Sequence, residues 1–170
     1  MTNISSGLTD LDVREAMARL VTGVTVVTTH GADGDAGTTI NSFTMITLEP
    51  PTVMICLNTR NRGYAAVAES GRFAVNVLSG SQAWIAELFA TPGLSQHERF
   101  ARLDTTRAGT GCPIIAGAAS WLDCTVTEAR RIGTHGVFFA EVKDAGVDRL
   151  DEVPLVYFRR SMHPLRHSTA

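Results

Sequence analysis

Residues 37–62, GTTINSFTMITLEPPTVMICLNTRNR, constrain this chain more than any other stretch. They read as two strands joined through a turn at Pro50-Pro51, because proline excludes helix and holds the residue before it extended. Thr39, Asn41, Ser42 and Thr44 stand where a strand serving only a core would carry Val and Ile. With a period of two, a strand over residues 38–44 puts Thr39, Asn41 and Phe43 on one face and Ile40, Ser42 and Thr44 on the other. Strands disfavour Asn, so Asn41 is expected to have a specific hydrogen-bond partner. The loop Asn58-Thr59-Arg60-Asn61-Arg62-Gly63 follows at once. Arginine forks and free backbone amides in such a loop bind phosphate. Each piece also has a plain reading: a sheet edge with hydroxyls facing water, and a solvated turn. Together they suit a flat polar heterocycle carrying a phosphate tail.

The chain of 170 residues is long enough for one well-buried core and slightly short for two. The expectation is one domain, with a core over about residues 12–160 and a C-terminal tail over 161–170. Apolar residues make up 44% and charged ones 19%, which is ordinary for a globular domain. The net charge of −2 and the scattered pairs Arg60/Arg62, Arg130/Arg131 and Arg159/Arg160 offer no basic face for nucleic acid. Cys56, Cys112 and Cys124 are odd in number and lack C-x-x-C spacing, so free thiols in a reducing compartment are expected. The opening MTNISSGLTD has neither a basic nor an apolar signal region, and no apolar run approaches the roughly 20 residues of a membrane span. A cytoplasmic protein without a membrane partner is expected.

Thr9 with Asp12 forms a capping-box signature, and Val13, Met17 and Leu20 recur at helical spacing up to Gly23. VTVVTTH (24–30) is β-branched and alternating, and it forms a predicted hairpin with residues 36–42 through a Gly-rich turn. A strand over 52–58, a short helix over 64–70 and a strand over 72–78 follow. Ser79 with Gln82 opens a helix over 81–90, with Trp84, Ile85, Leu88 and Phe89 on its apolar side. Residues 91–113 read as a long loop with one helical turn near His97, the kind of segment that often serves as a lid. Strands are expected over 118–128, 135–142 and 155–159. About seven strands joined by turns or short helices predict a mainly β, Greek-key barrel with a few inserted helices.

Several chemistries lack their motifs. There is no P-loop and no Rossmann fingerprint, since the spacings of Gly31/Gly34/Gly37 and Gly109/Gly111/Gly117 are wrong for both. His97-Glu98 lacks the second histidine of a zinc motif, because Ala101 stands there, and Pro164 separates His163 from His167 in a tail read as disordered, so no metal is expected. No nucleophile–base pair or carboxylate pair follows from spacing. His135 opens the apolar run HGVFFAEV, where a turn can project it into a cavity, although a surface position is the commoner outcome. A cofactor carrying the chemistry, with the protein supplying position and electrostatics, is the reading that remains. A flavin nucleotide fits the heterocycle and tail.

The motifs together resemble the short-chain flavin reductases, the reductase components of two-component flavin-dependent monooxygenases, which have the FMN-binding split-barrel fold. The resemblance rests on ARLVTGVTVVTT, GTTINSFT, LEPPTVMICLN, GRFAVNVLSGSQ, GTGCPIIAGAASWLDCTV, GTHGVFFAEV and PLVYF, in that order along residues 12–158. It implies a mainly β, Greek-key split barrel and NAD(P)H:flavin oxidoreductase activity. FAD or FMN would be the flavin, NADH or NADPH the co-substrate, and a separate monooxygenase the recipient of reduced flavin. It also implies a homodimer. A non-catalytic flavin-binding split barrel is the alternative. By resemblance, Thr39, Asn41, Ser42, Phe43 and Thr44 lie along the isoalloxazine ring. Cys56, Leu57 and Asn58 lie near the ribityl chain, and Arg60, Asn61, Arg62 and Gly63 form the phosphate loop. His135 positions the nicotinamide, with no side chain acting as acid or base, and Tyr157 belongs to the strand closing the site. The chain departs from the family's pattern at Asn61, Gly63, Thr134 and Met162, which shifts the expected phosphate contact toward Arg60, Arg62 and backbone amides.

Overall fold

Val26 and Val27 explain why one strand dominates the architecture. Both are buried, yet successive side chains on a strand point to opposite faces, so this strand must be covered on two sides. The computed structural model describes residues 7, 9–147 and 153–165. Helix α1 (Asp10–Met17) leads into strands β1 (Thr22–Gly23), β2 (Thr25–Gly31), β3 (Gly34–Ile40), β4 (Phe43–Leu48) and β5 (Pro51–Asn58). Helix α2 (Arg62–Ser70) and β6 (Arg72–Val77) follow, then a 3-10 turn at Gly80–Gln82, α3 (Ala83–Ala90) and α4 (Gln96–Phe100). The chain continues through β7 (Thr105–Arg107), β8 (Pro113–Ile115), β9 (Ser120–Ile132), β10 (His135–Gly146), β11 (Leu155–Phe158) and β12 (Ser161–Pro164).

Seven strands form one antiparallel sheet in the order β3-β2-β6-β9-β10-β5-β4. Its two edge strands, β3 and β4, are consecutive in the chain and joined only by Asn41 and Ser42. Ile40 and Phe43 are three Cα steps apart, which is at most about 11 Å. The sheet must therefore curl until its edges meet, although β3 and β4 do not pair. That is the split barrel, mainly β as the sequence predicts. Register shifts in the β9–β10 ladder at Phe139/Ala140 and Val142/Asp144 help it bend.

The barrel interior is filled by Val27, Ile55, Leu57, Phe73, Val75 and Phe138, with Val67 of α2 capping one end. A second core lies outside the barrel wall. There Val24, Val26 and Leu78 meet Ile85, Leu88 and Phe89 of α3. Gly37 permits this approach, because a Cβ there would sit 2.6 Å from the Phe89 ring. Asn76, fully buried on β6, ties the layers together. Its Nδ2 donates to Val26 O at 3.1 Å and to Thr28 Oγ1 at 3.1 Å, and its Oδ1 accepts from Ile115 N at 2.8 Å.

Several expectations change. The strand expected over 38–44 is broken at Asn41-Ser42, because closing the barrel needs a corner there, so the two-face reading ends at Ile40. The first helix stops at Met17 rather than near Gly23, and it has no buried residue. Trp84 is 51% exposed, one position off the buried face of α3. The loop over 91–113 is partly ordered into α4 and β7, and β7 pairs with β8. β9 and β10 run beyond the expected 128 and 142: the added residues of β9 pair with the start of β10, and those of β10 with the start of β9. Residues 161–164 form β12 against β11 instead of a tail, while His167 lies outside the described residues. Twelve strands, not about seven, are formed among the described residues.

Asn76→Leu keeps the number of side-chain heavy atoms but leaves the Ile115 amide without its acceptor. The expected cost is about 1–3 kcal/mol of unfolding free energy, read by urea denaturation. An unchanged midpoint would show that this buried amide does not hold the layers together.

Candidate functional site

At the split, the end of β3 lies across a cavity from the β11–β12 hairpin. A cavity of about 230 Å³ opens there, lined by Thr39, Ile40 and Asn41 of the edge, Ala86 of α3, and Tyr157 and Met162 of the hairpin. The Thr39 hydroxyl donates to Ala86 O at 2.7 Å, so its lone pairs are what it offers a ligand. Asn41 has the partner its position requires: Nδ2 donates to Thr22 Oγ1 at 3.2 Å. That bond orients the amide and makes its oxygen the end offered to a donor. Ser42 Oγ donates to Cys56 O at 2.7 Å, which clamps the corner to β5.

Ala90, at the end of α3, lines this cavity and also a second one of about 520 Å³. The second is lined by Arg60, Asn61 and Arg62 on one side and by residues 89–96 with Arg99 on the other. Asn61 caps α2: its Oδ1 accepts from Gly63 N at 2.9 Å, and its Nδ2 donates to Thr38 Oγ1 at 2.6 Å. Arg60 N donates to Asn58 Oδ1 at 3.0 Å, so the arginine loop is a fixed turn.

Arg99 is the unexpected member. It is 6% exposed, and its guanidinium donates to the carbonyls of Leu88, Thr91 (2.6 Å) and Leu94 (3.1 Å). Its Nε is buried without a partner. Burial, then the neighbouring charge of Arg62, push its pKa down, against a smaller opposing pull from Glu98. Among the described residues no ion pair engages Arg60, Arg62 or Arg99. Three arginines around one cavity, with the amino end of α2 beside them, make a binding place for an anion. Glu98 is the lone carboxylate in the lining.

The expected site residues thus divide. Thr39, Asn41 and Tyr157 share the first cavity, and Arg60, Asn61 and Arg62 share the second. Asn58 stands opposite His135 in the β5–β10 register, and Thr59 N donates to Thr134 O at 2.9 Å, so His135 borders the arginine loop. His135 is exposed, with Nδ1 3.0 Å from Thr134 Oγ1, and it lines neither cavity. Leu57 is 1% exposed inside the barrel, so its side chain is not available to a ligand, whereas Phe43 packs on the same core and is only half-buried. Thr44 lies on the exposed run of β4. Gly63 is buried against Thr38 and its amide is already taken by Asn61, so it serves packing rather than phosphate. Burial pushes the half-buried Cys56 thiol up, and Cys124, inside the core, up to about 12. Sequence reasoning missed Arg99, Gln96 and Ala90. The S-x-x-E cap at Ser95 and Glu98 was the available signal that the loop around them is structured.

Residues 17–166 match the family described as flavin reductase like domain. The chain belongs to this flavin reductase family. It is 38% identical over 160 residues to the FMN reductase (NADH) RutF of Stutzerimonas stutzeri (strain A1501), covering 92% of this chain and 89% of that protein. It is 34% identical over 157 residues to the 4-hydroxyphenylacetate 3-monooxygenase reductase component of Salmonella dublin, covering 92% of each. Its fold is similar to that of the NADH:FAD oxidoreductase SgcE6 of Streptomyces globisporus C-1027, solved with NAD and FAD fragments. That likeness has a TM-score of 0.86 and 28% identity, and it covers 97% of this chain and 100% of the other. No helix among the described residues is long and apolar enough to cross a membrane.

Arg99→Met removes the donors that hold the Leu88, Thr91 and Leu94 carbonyls. Hydrogen bonds from a charged group are worth about 1.5–3 kcal/mol each at most, so a loss in that range is expected on denaturation. Unchanged stability would show that the loop holds its shape without Arg99.

Proposed function

We propose that this protein is an NAD(P)H:flavin oxidoreductase that supplies reduced flavin to a partner flavin-dependent monooxygenase. The observation that carries the reading is the junction at Ala90 of a small cavity with amide and hydroxyl groups and a larger one ringed by arginines. A flat heterocycle with a phosphate tail needs that adjacency. The buried Arg99, a cation with no carboxylate bonded to it, fits the anionic tail. The names of the relatives support the same reading: one is an NADH-dependent FMN reductase and another the reductase component of a monooxygenase.

A bound flavin supplies the two-electron acceptor for hydride from the reduced nicotinamide. The chain's own part is positional. Asn41 and Thr39 would accept from the ring edge, and Tyr157 with Met162 would cover one side of it. Arg60, Arg62 and Arg99 would hold the phosphate. His135, beside the arginine loop, would meet the nicotinamide nucleotide from the barrel end. No side chain needs to gain or lose a proton, because hydride transfer leaves the protein unchanged. Either flavin and either nicotinamide nucleotide is compatible with these contacts.

The exposed apolar residues support a homodimer. Met45, Ile46 and Leu48 are exposed on the edge strand β4, and Leu11, Val13 and Met17 on α1. An edge strand carrying such residues is a strong candidate for a covered surface in an assembly. Sedimentation velocity is expected to give twice the chain mass, and a monomer at micromolar concentration would contradict it.

The decisive experiment is steady-state oxidation of NADH and of NADPH with FMN, FAD or riboflavin added in turn. Rapid turnover with at least one pair is expected. Flavin bound without turnover would establish a binding module instead. In the same assay His135→Ala is expected to raise the KM for the nicotinamide nucleotide more than that for flavin, and an unchanged value would make His135 a surface residue.

A further inference from the structure

A cavity of about 310 Å³ opens between α2 and the ribbon formed by the end of β9 and the start of β10. It shares no lining residue with the two cavities of the candidate site. Its floor is aromatic. The rings of Tyr64 on α2 and Phe138 on β10 lie with centroids 5.6 Å apart and planes inclined by 53°. Phe138 is sunk in the barrel core, whereas Tyr64 is half-buried and keeps ring surface for a ligand. Gly136 brings that ring down onto the strand, since a Cβ there would collide with it. Val67 and Val126 continue the apolar wall.

The charge at the rim is one-sided. The ladder pairs Gly136 with Arg131, Val137 with Arg130 and Phe138 with Ala129. Side chains alternate along a strand, so Arg131 shares the cavity's face with Ala129, Gly136 and Phe138. Arg130 also borders the cavity, but alternation turns its guanidinium to the other face, where Glu128 pairs with it. Arg131 has no such counter-charge. Its Nε donates to Gly133 O at 3.4 Å, and no ion pair engages it among the described residues. No carboxylate lines the cavity among the described residues.

We infer that this cavity binds a small aromatic carboxylate, its ring on Tyr64 and its carboxylate on the Arg131 guanidinium. An aromatic ring laid against another gains from their edge-to-face or offset contact, and a guanidinium fork matches the two oxygens of a carboxylate. The volume stands at the small end of the roughly 300–1,000 Å³ range of ligand cavities, so a single ring fits it better than a nucleotide. One arginine also supplies no cradle for a phosphate chain, in contrast to the three around the cavity at Ala90. The inference stands apart from the oxidoreductase reading, because none of these residues belongs to that site.

Calorimetric titration with benzoate, in the presence of saturating FMN, tests it. Wild type is expected to bind benzoate, and to bind benzamide at least about tenfold more weakly, because the amide keeps the ring and loses the charge. Arg131→Gln, at an exposed end of β9, is expected to weaken benzoate by a similar factor and leave benzamide unchanged. Ala68→Trp, exposed on α2, fills the cavity from the solvent side and is expected to abolish binding of both. An unchanged urea midpoint checks that each variant is folded. No binding to wild type, or equal binding of benzoate and benzamide, would overturn the inference. Benzoate that binds only without FMN and ignores Arg131→Gln would lie among the arginines of the other cavity, which also overturns it. Ala68→Trp that keeps benzoate but halves the mass in sedimentation would assign this face to a second copy of the chain instead.

Discussion

Two residues, Asn41 and Ser42, join the two edges of a seven-stranded sheet, and the rest of the structure follows from that short link. A link of this length forces the sheet to close on itself, while β3 and β4 stay unpaired. Each linking side chain is tied down on a different side, Asn41 to Thr22 and Ser42 to Cys56 O. The barrel therefore stays split at a fixed place. The unpaired edge of β3 is where α3, α4 and the β11–β12 hairpin can approach, and both cavities of the candidate site lie along it.

The second governing feature is electrostatic. Burying the Arg99 charge is costly, and the structure meets the cost with backbone carbonyls rather than a carboxylate. Carbonyls satisfy the donors without cancelling the charge. The cavity keeps a net positive field with which an anionic ligand can pair, and the loop over residues 91–95 is held in the shape that lines it. Such an arrangement places the binding energy at the tail of a ligand. The ring end is left with few groups and easy exit, which suits a flavin that is released after reduction.

What could be read from the sequence was local. The capping boxes at Thr9/Asp12 and Ser79/Gln82 and the hairpin of β2 and β3 are set by residues within a few positions of one another, and they form as expected. The mainly β class and the family resemblance were legible for the same reason, since short motifs carry them. The break at Asn41-Ser42 was not, because it is imposed by closure of the whole sheet on a segment whose own pattern continues as a strand. Leu57 and Gly63 matched site motifs, but their faces are decided by packing against Phe73 and Thr38 from distant parts of the chain. Arg99 was legible only indirectly, through the S-x-x-E cap that surrounds it, since its partners Leu88 O, Thr91 O and Leu94 O lie in a stretch with no regular pattern. Trp84 differs from its buried neighbour Ile85 by a single step of helix rotation.

The central claim is that the ligand lies along the β3 edge, with its ring beside Asn41 and Tyr157 and its phosphate among the arginines. A crystal structure of the protein with FMN tests it most directly. The account expects the isoalloxazine ring in the cavity of Thr39, Asn41 and Tyr157 and the phosphate within hydrogen-bond reach of Arg60, Arg62 or Arg99. FMN bound on the far side of the barrel, with both cavities empty, would contradict it.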